Sequence, residues 1–287
     1  SNALKVDKIW YQFPVGDNLK FWVGPRVENY YMLASAPSIY KPVLKAFALG
    51  GNGATYGSST DGGFGAAWIQ SVEDRTQPRF AVSTNYASKG ATSAENEGGG
   101  ILTDSQSKWL TKVEYGSPRW QVSAAVTSNQ CYKADGAQSC KVWTDYYSTE
   151  KGKSRTGDTT AYALRAYWMP EDTGAIPAIQ VGYDIANIDD DGSTGSVENT
   201  AQWMVGLMWK DAFVDGNRLG LAFGQRQYAT DIVGGASDPA DDNFVWEAYY
   251  DFKVSDNITV TPTLFGGTDT YNGASNDSDD VFGGLVQ

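Results

Sequence analysis

Residues 19–63 read LKFWVGPRVENYYMLASAPSIYKPVLKAFALGGNGATYGSSTDGG. The first ten alternate. Leu19, Phe21, Val23, Pro25 and Val27 fall on one side; Lys20, Trp22, Gly24, Arg26 and Glu28 fall on the other. A strand turns successive side chains to opposite faces, so this is a strand with one greasy and one charged side. The pattern stops at Asn29. From Glu28 to Gly62 the chain is a long connection with an apolar core: Tyr30, Tyr31, Met32, Leu33, Ile39, Tyr40, Val43, Leu44, Phe47 and Leu49, with Lys41 and Lys45 set into it. Long loops in ordered proteins are functional or disordered, and this one is too apolar for disorder. Two readings stand side by side. In one, residues 30–62 fold into the inside of a β-barrel and constrict it. In the other, they are an ordinary packed connection with a short helix near Pro42 to Leu49.

Further alternating segments follow on both sides. They run from Leu4 to Pro14, Phe64 to Val72, Arg79 to Ser88, Trp109 to Tyr115 and Arg119 to Thr127. After these come Thr159 to Pro170, Ile176 to Asn187, Thr200 to Lys210, Arg218 to Tyr228, Phe244 to Val254 and Ile258 to Gly267. A last segment opens at Val281. The connections between them alternate short and long. Antiparallel strands joined in this way gather the tight turns at one end and the long loops at the other, as in outer-membrane barrels. Strands of roughly ten residues also suit a tilted bilayer crossing. Aromatics cluster toward strand ends at Trp109, Tyr115, Trp168, Trp209, Tyr250 and Phe252, as an interfacial girdle requires. The lipid side would carry Trp203, Val205, Leu207 and Trp209 in one strand, and Tyr162, Leu164, Ala166 and Trp168 in another. The expected fold is all-β: a transmembrane antiparallel β-barrel forming a single domain over residues 1–287. A soluble two-domain β-sandwich shares the alternation with the faces exchanged.

Composition narrows the function. The chain of 287 residues has Lys+Arg 22, Asp+Glu 34 and a formal net charge of −12, which disfavours nucleic acid as a partner. It has no histidine, which removes His-based acid/base chemistry, Ser-His-Asp triads and the commonest metal ligand. We expect no enzyme, no cofactor and no metal site. No run approaches the roughly 20 apolar residues of a membrane helix. Cys131 and Cys140 lie in one polar loop and read as a local disulfide of an oxidising compartment, or as two free thiols. The run Asp189-Asp190-Asp191-Gly192 lacks the ligand spacing of an EF-hand loop. No signal peptide is visible, and Ser1-Asn2-Ala3 reads as native sequence or an expression scar. The last segment stops inside a strand. With about thirteen strands, the first running downward, an odd number is expected before Leu4, which brings the full barrel to about sixteen.

Three stretches carry a resemblance: residues 6–51 (VDKIWYQFPVGDNLKFWVGPRVENYYMLASAPSIYKPVLKAFALGG), 206–225 (GLMWKDAFVDGNRLGLAFGQ) and 247–267 (EAYYDFKVSDNITVTPTLFGG). They resemble the cyanobacterial outer-membrane porins of the iron-uptake type, which belong with the carbohydrate-selective porins. The resemblance implies a homotrimer of sixteen-stranded barrels in the outer membrane, in contact with lipid and passing small hydrophilic solutes or inorganic ions. Members also hold peptidoglycan through an N-terminal domain that these residues do not include, and they end the last strand on an aromatic that is not seen here.

In a pore, selectivity comes from diameter and from charged rings. Alternation nominates as lumen wall Lys20, Arg79, Lys112, Glu114, Arg119, Arg165, Asp184, Arg226, Glu247 and Asp251. Tyr40, Lys41, Lys45, Arg26 and Glu28 are the expected constriction. The competing role for these charges is a ladder of ion pairs that stiffens the wall and holds the loop. The outer loops are acidic, at Asp189, Asp190, Asp191 and Glu198, at Asp231, Asp238, Asp241 and Asp242, and at Asp269, Asp277, Asp279 and Asp280. They would concentrate cations at the mouth, or simply keep the surface soluble. The rival from another class is an envelope structural or surface glycan-binding β-protein with no open pore.

Overall fold

The computed structural model describes residues 6–57, 60–92, 101–102, 105–130, 158–172, 174–189, 197–235, 243–268 and 280–287. Within them run fourteen strands: β1 Ile9–Val15, β2 Leu19–Glu28, β3 Thr60–Ile69, β4 Arg79–Ser88, β5 Ser107–Ser117, β6 Trp120–Gln130, β7 Thr159–Trp168, β8 Ala178–Ile188, β9 Val197–Lys210, β10 Arg218–Ile232, β11 Phe244–Ser255, β12 Ile258–Val260, β13 Pro262–Thr268 and β14 Val281–Val286. They form one antiparallel sheet in chain order, with β12 an offshoot of β11. β1 and β14 are its edges, and the sheet does not close. The count exceeds thirteen because the segment 258–267 breaks at Thr261, just before Pro262, which has no N–H for the ladder. Among the described residues no helix is long and apolar enough to cross a membrane.

The alternation is inverted relative to a soluble sheet. In β6, Gln121, Ser123, Ala125, Thr127 and Asn129 are buried, while Val122, Ala124 and Val126 are exposed. In β8, Gln180, Asp184 and Ala186 are buried, and Val181, Tyr183 and Ile185 are exposed. Leu164 is 59% exposed next to Arg165 at 4%. Polar side chains buried on one face and apolar ones bared on the other suit a wall with hydrocarbon outside. A sandwich would require the reverse.

The outer face is banded by rings. Toward the short turns, Tyr115 contacts Phe80 at 4.4 Å and Trp120 at 5.6 Å between centroids. Trp120 pairs in register with Trp168. Toward the long loops, Tyr86 lies 5.7 Å from Phe64 and 5.8 Å from Trp109. Two such belts are what two membrane–water interfaces select.

Connections 16–18, 70–78, 118–119, 169–177, 211–217 and 256–257 join strand ends at one end of the sheet; the strand ends that flank 29–59, 89–106, 131–158, 189–196, 233–243 and 269–280 lie at the other. Connection 189–196 is no longer than 70–78. There the following strand lengthens instead, to 14 residues in β9, as does its neighbour β10, to 15. In turn 70–78, Asp74 accepts the Thr76 N–H at 2.9 Å, which holds its carboxyl below the ordinary range.

Candidate functional site

The segment after β2 packs on the buried face of the sheet from β3 to β11. A run of backbone that touches so many strands on one face shows that the sheet curls around it. Room comes from small inner residues. Ala125 and Ala163 pack with Leu33, Tyr56 and Leu110, and Ala178 and Ala222 with Tyr40, Phe47, Met204 and Met208. A Cβ on Gly182 of β8 would fall 1.9 Å from the Gly50 carbonyl oxygen, so only glycine permits this approach. The sharpest reversal is Leu49-Gly50-Gly51, with φ of 57°, 75° and 69°. These left-handed values explain the paired glycines. A short 3-10 turn over Lys45–Gly50, kinked at Ala48 and Leu49, stands where the packed-connection reading placed a helix.

Wall side chains hold the segment along its length. Asn85 Nδ2 donates to the carbonyls of Asn29 (3.0 Å) and Met32 (3.2 Å), and Ser83 Oγ accepts from Ala34 N at 2.7 Å. Ser35 donates to Glu114 at 2.8 Å and accepts from Lys112, which is ion-paired to the same carboxylate. Arg165 spans from the Ala36 carbonyl, at 2.6 Å, to the side-chain oxygen of Gln121. Gln180 Oε1 accepts the N–H of Ile39 at 2.7 Å and of Tyr40 at 3.2 Å. Glu247 receives three donors: Tyr40 Oη (2.9 Å), Val43 N (3.2 Å) and Leu44 N (2.6 Å). Gln202 Nε2 donates to Ala46 O at 2.8 Å, and Asp184 Oδ2 accepts from Thr55 N at 2.9 Å. Lys108 Nζ closes the far end on Gly57 O at 2.8 Å. Lys108, Lys112, Arg165, Asp184 and Glu247 thus each meet a backbone group of the segment, which gives both sides of the contact a partner.

Among the expected wall residues, Lys112, Glu114, Arg165, Asp184 and Glu247 converge on the segment. Asp251 instead pairs with Arg218 and accepts from Thr261 Oγ1 at 2.8 Å. Lys20 lies 5.7 Å from the Trp22 ring, and Arg79 is half-buried at the start of β4. Arg119 sits in a turn, exposed, 3.2 Å from Glu171. Arg226 falls in an irregularity between Gln225 and Tyr228, where its N–H donates to Asn243 Oδ1 at 2.9 Å.

At the expected constriction, Tyr40 is buried and Lys41 and Lys45 are exposed. Glu28 is buried, accepting from Thr60 Oγ1 at 3.0 Å with Lys8 Nζ at 3.4 Å. Arg26 departs from strict alternation. A register shift between Gly24 and Val27 brings Val27 into the cluster of Trp22, Met32 and Ala67. Arg26 is left exposed, with its Nε donating to the Asp7 carbonyl at 2.9 Å. A bulge inserts one residue and so exchanges the faces beyond it.

Several holding residues escaped the alternation argument. Lys108 lies outside the alternating segment that opens at Trp109, because β5 starts two residues earlier, at Ser107. Gln121, Gln180 and Gln202 are neutral and carry no charge signal. Cys131, Cys140, Asp190, Asp191, Asp238, Asp241, Asp242, Asp269, Asp277 and Asp279 lie outside the described residues. Asp189, Glu198, Asp231 and Asp280 are exposed at the long-loop end. Among the described residues no group of three or more acidic, Cys or His side chains is placed to hold a metal ion.

An antiparallel wall that is apolar outside and polar inside, with its longest described connection packed on the inner face, defines a protein of the porin class. The chain belongs to the family described as carbohydrate-selective porin, OprB family, whose model matches residues 1–285. That is an outer-membrane channel family, not an enzyme family. No curated protein matches the chain.

Proposed function

We propose that this protein is an outer-membrane porin through which small hydrophilic solutes, carbohydrates and inorganic ions among them, diffuse passively. Residues 30–62 narrow the barrel, and the exposed Lys41 and Lys45 of that segment set its charge at the narrowing. The observation that carries this reading is the inner face itself: buried polar side chains hold a loop where a soluble protein would have a dry core. The resemblance of segments 6–51, 206–225 and 247–267 to the cyanobacterial iron-uptake type supports membership of that type and a homotrimer. Iron itself has no ligand set among the described residues.

One observation favours a second reading, an envelope β-protein without an open pore. Lys112, Glu114, Arg165, Asp184 and Glu247 are all committed to the loop. Liposome swelling separates the two. Full-length protein refolded into liposomes is expected to let glucose in and swell the vesicles. Vesicles that contain folded protein and stay shut to sugar and to KCl support the closed wall.

A further inference from the structure

A cavity of about 940 Å³ lies on the short-turn side of the loop, between Ser38–Val43 and the ends of β9, β10 and β11. Four cationic groups line it: Lys41 from the loop, Lys210 and Arg218 from either side of turn 211–217, and Lys253 from β11. Its two carboxylates are already engaged. Asp251 accepts from Arg218 and Thr261, and Asp211 accepts the Gly216 N–H at 2.7 Å. Lys253 is 3.0 Å from Asp256, an exposed pair of the kind that contributes little and exchanges readily. The balance of the lining is positive in a chain whose net charge is −12.

Low-dielectric walls focus the field of like charges into a concavity and raise the local concentration of the opposite ion. We infer that this cavity is a binding site for small oxyanions, the phosphate or carboxylate group of a solute, at the short-turn mouth of the barrel. Lys41 and Lys253 supply the attraction, Lys210 adds its charge while holding a partner of its own, and the Arg218–Asp251 pair fixes the floor. Neutral sugars can accept hydrogen bonds from these ammonium ions but carry no charge for the focused field to concentrate. Binding here does not require an open channel, so it is tested apart from conductance.

The test uses full-length protein folded in detergent, with folding checked by heat-modifiable electrophoretic mobility. Equilibrium dialysis against radiolabelled inorganic phosphate in 20 mM salt (about a 20 Å screening length) is expected to give saturable binding. The triple substitution K41Q/K210Q/K253Q removes three exposed charge pairings and weakens it about tenfold. Single K253Q gives a partial loss if the triple variant fails to fold. Gluconate competing with phosphate identifies a general oxyanion site. Phosphate binding without gluconate competition confines it to phosphate, and glucose competes in neither case. Absence of saturable binding, or equal binding by folded wild type and the lysine variants, overturns the assignment. Phosphate binding by a protein that conducts no current would leave this site standing and remove the porin reading instead.

Discussion

Glu247 accepts three hydrogen bonds from the loop, two of them from adjacent backbone N–H groups of Val43 and Leu44. Hydrogen bonds to a charged acceptor are worth about 1.5–3 kcal/mol each, and buried donors left without a partner cost more than the bond returns. Glu247→Ala is therefore expected to loosen residues 40–44 by about 3 kcal/mol locally, while Glu247→Gln keeps an acceptor and costs less. Amide hydrogen exchange at Val43 and Leu44 reads this directly. Unchanged protection in the alanine variant would mean that the apolar contacts of Tyr40 and Phe47 hold the segment alone. Lys41 and Lys45 are a different case, exposed and not spent on packing. If residues 30–62 narrow the pore as proposed, replacing both by Glu reverses two charges at the narrowing, and the reversal potential in a salt gradient is expected to move toward cation preference. An unmoved potential would take both lysines out of the conduction path. The sequence showed which faces were charged because strand periodicity is strict. It did not show the change of face at Arg26, because one extra residue in a bulge exchanges faces without any compositional mark.

At the level of elements, strands were legible and the loop's course was not. A strand declares itself locally, through alternation and turn residues. The course of residues 29–57 depends on partners more than a hundred positions away, such as Gln180 for Ile39 and Glu247 for Leu44. Only the excess of apolar residues hinted that the segment is packed. Its route is fixed by Gly182, which admits the Gly50 carbonyl, and by the left-handed Leu49-Gly50-Gly51 reversal. Deleting Tyr40–Leu49 removes the part that spans β8 to β11, including Tyr40 and Phe47 of that cluster. The wall's own ladders are untouched, since none of the strand pairings uses these residues. The deletion is expected to leave a folded, heat-modifiable barrel with higher single-channel conductance in a planar bilayer. Equal conductance in the folded variant would show that the segment does not narrow the path.

Over the whole molecule, charge is divided between the two ends of the loop. The long-loop side exposes Asp189, Glu198, Asp231 and Asp280, and the cavity on the short-turn side is lined by Lys41, Lys210 and Lys253. A negative mouth admits cations and a positive one admits anions. When the long-loop side is held positive, each ion is driven in through the mouth that favours it, and carriers accumulate between. With the opposite polarity both ions are driven through the mouths that exclude them, and the interior is depleted. Current through the full-length barrel, inserted in one orientation, is therefore expected to be larger with the long-loop side positive. The effect needs a screening length comparable to the mouth: about 10 Å at 0.1 M salt but only about 3 Å at 1 M. Rectification should accordingly be clear at the lower salt and vanish at the higher. It should also weaken when Lys210 and Lys253 are replaced by Gln, because the positive half of the pair is then reduced. Symmetric current at 0.1 M in wild type would mean that the acidic loops and the lysine cavity do not lie on one conducting path, and the division of charge would then concern the surface alone.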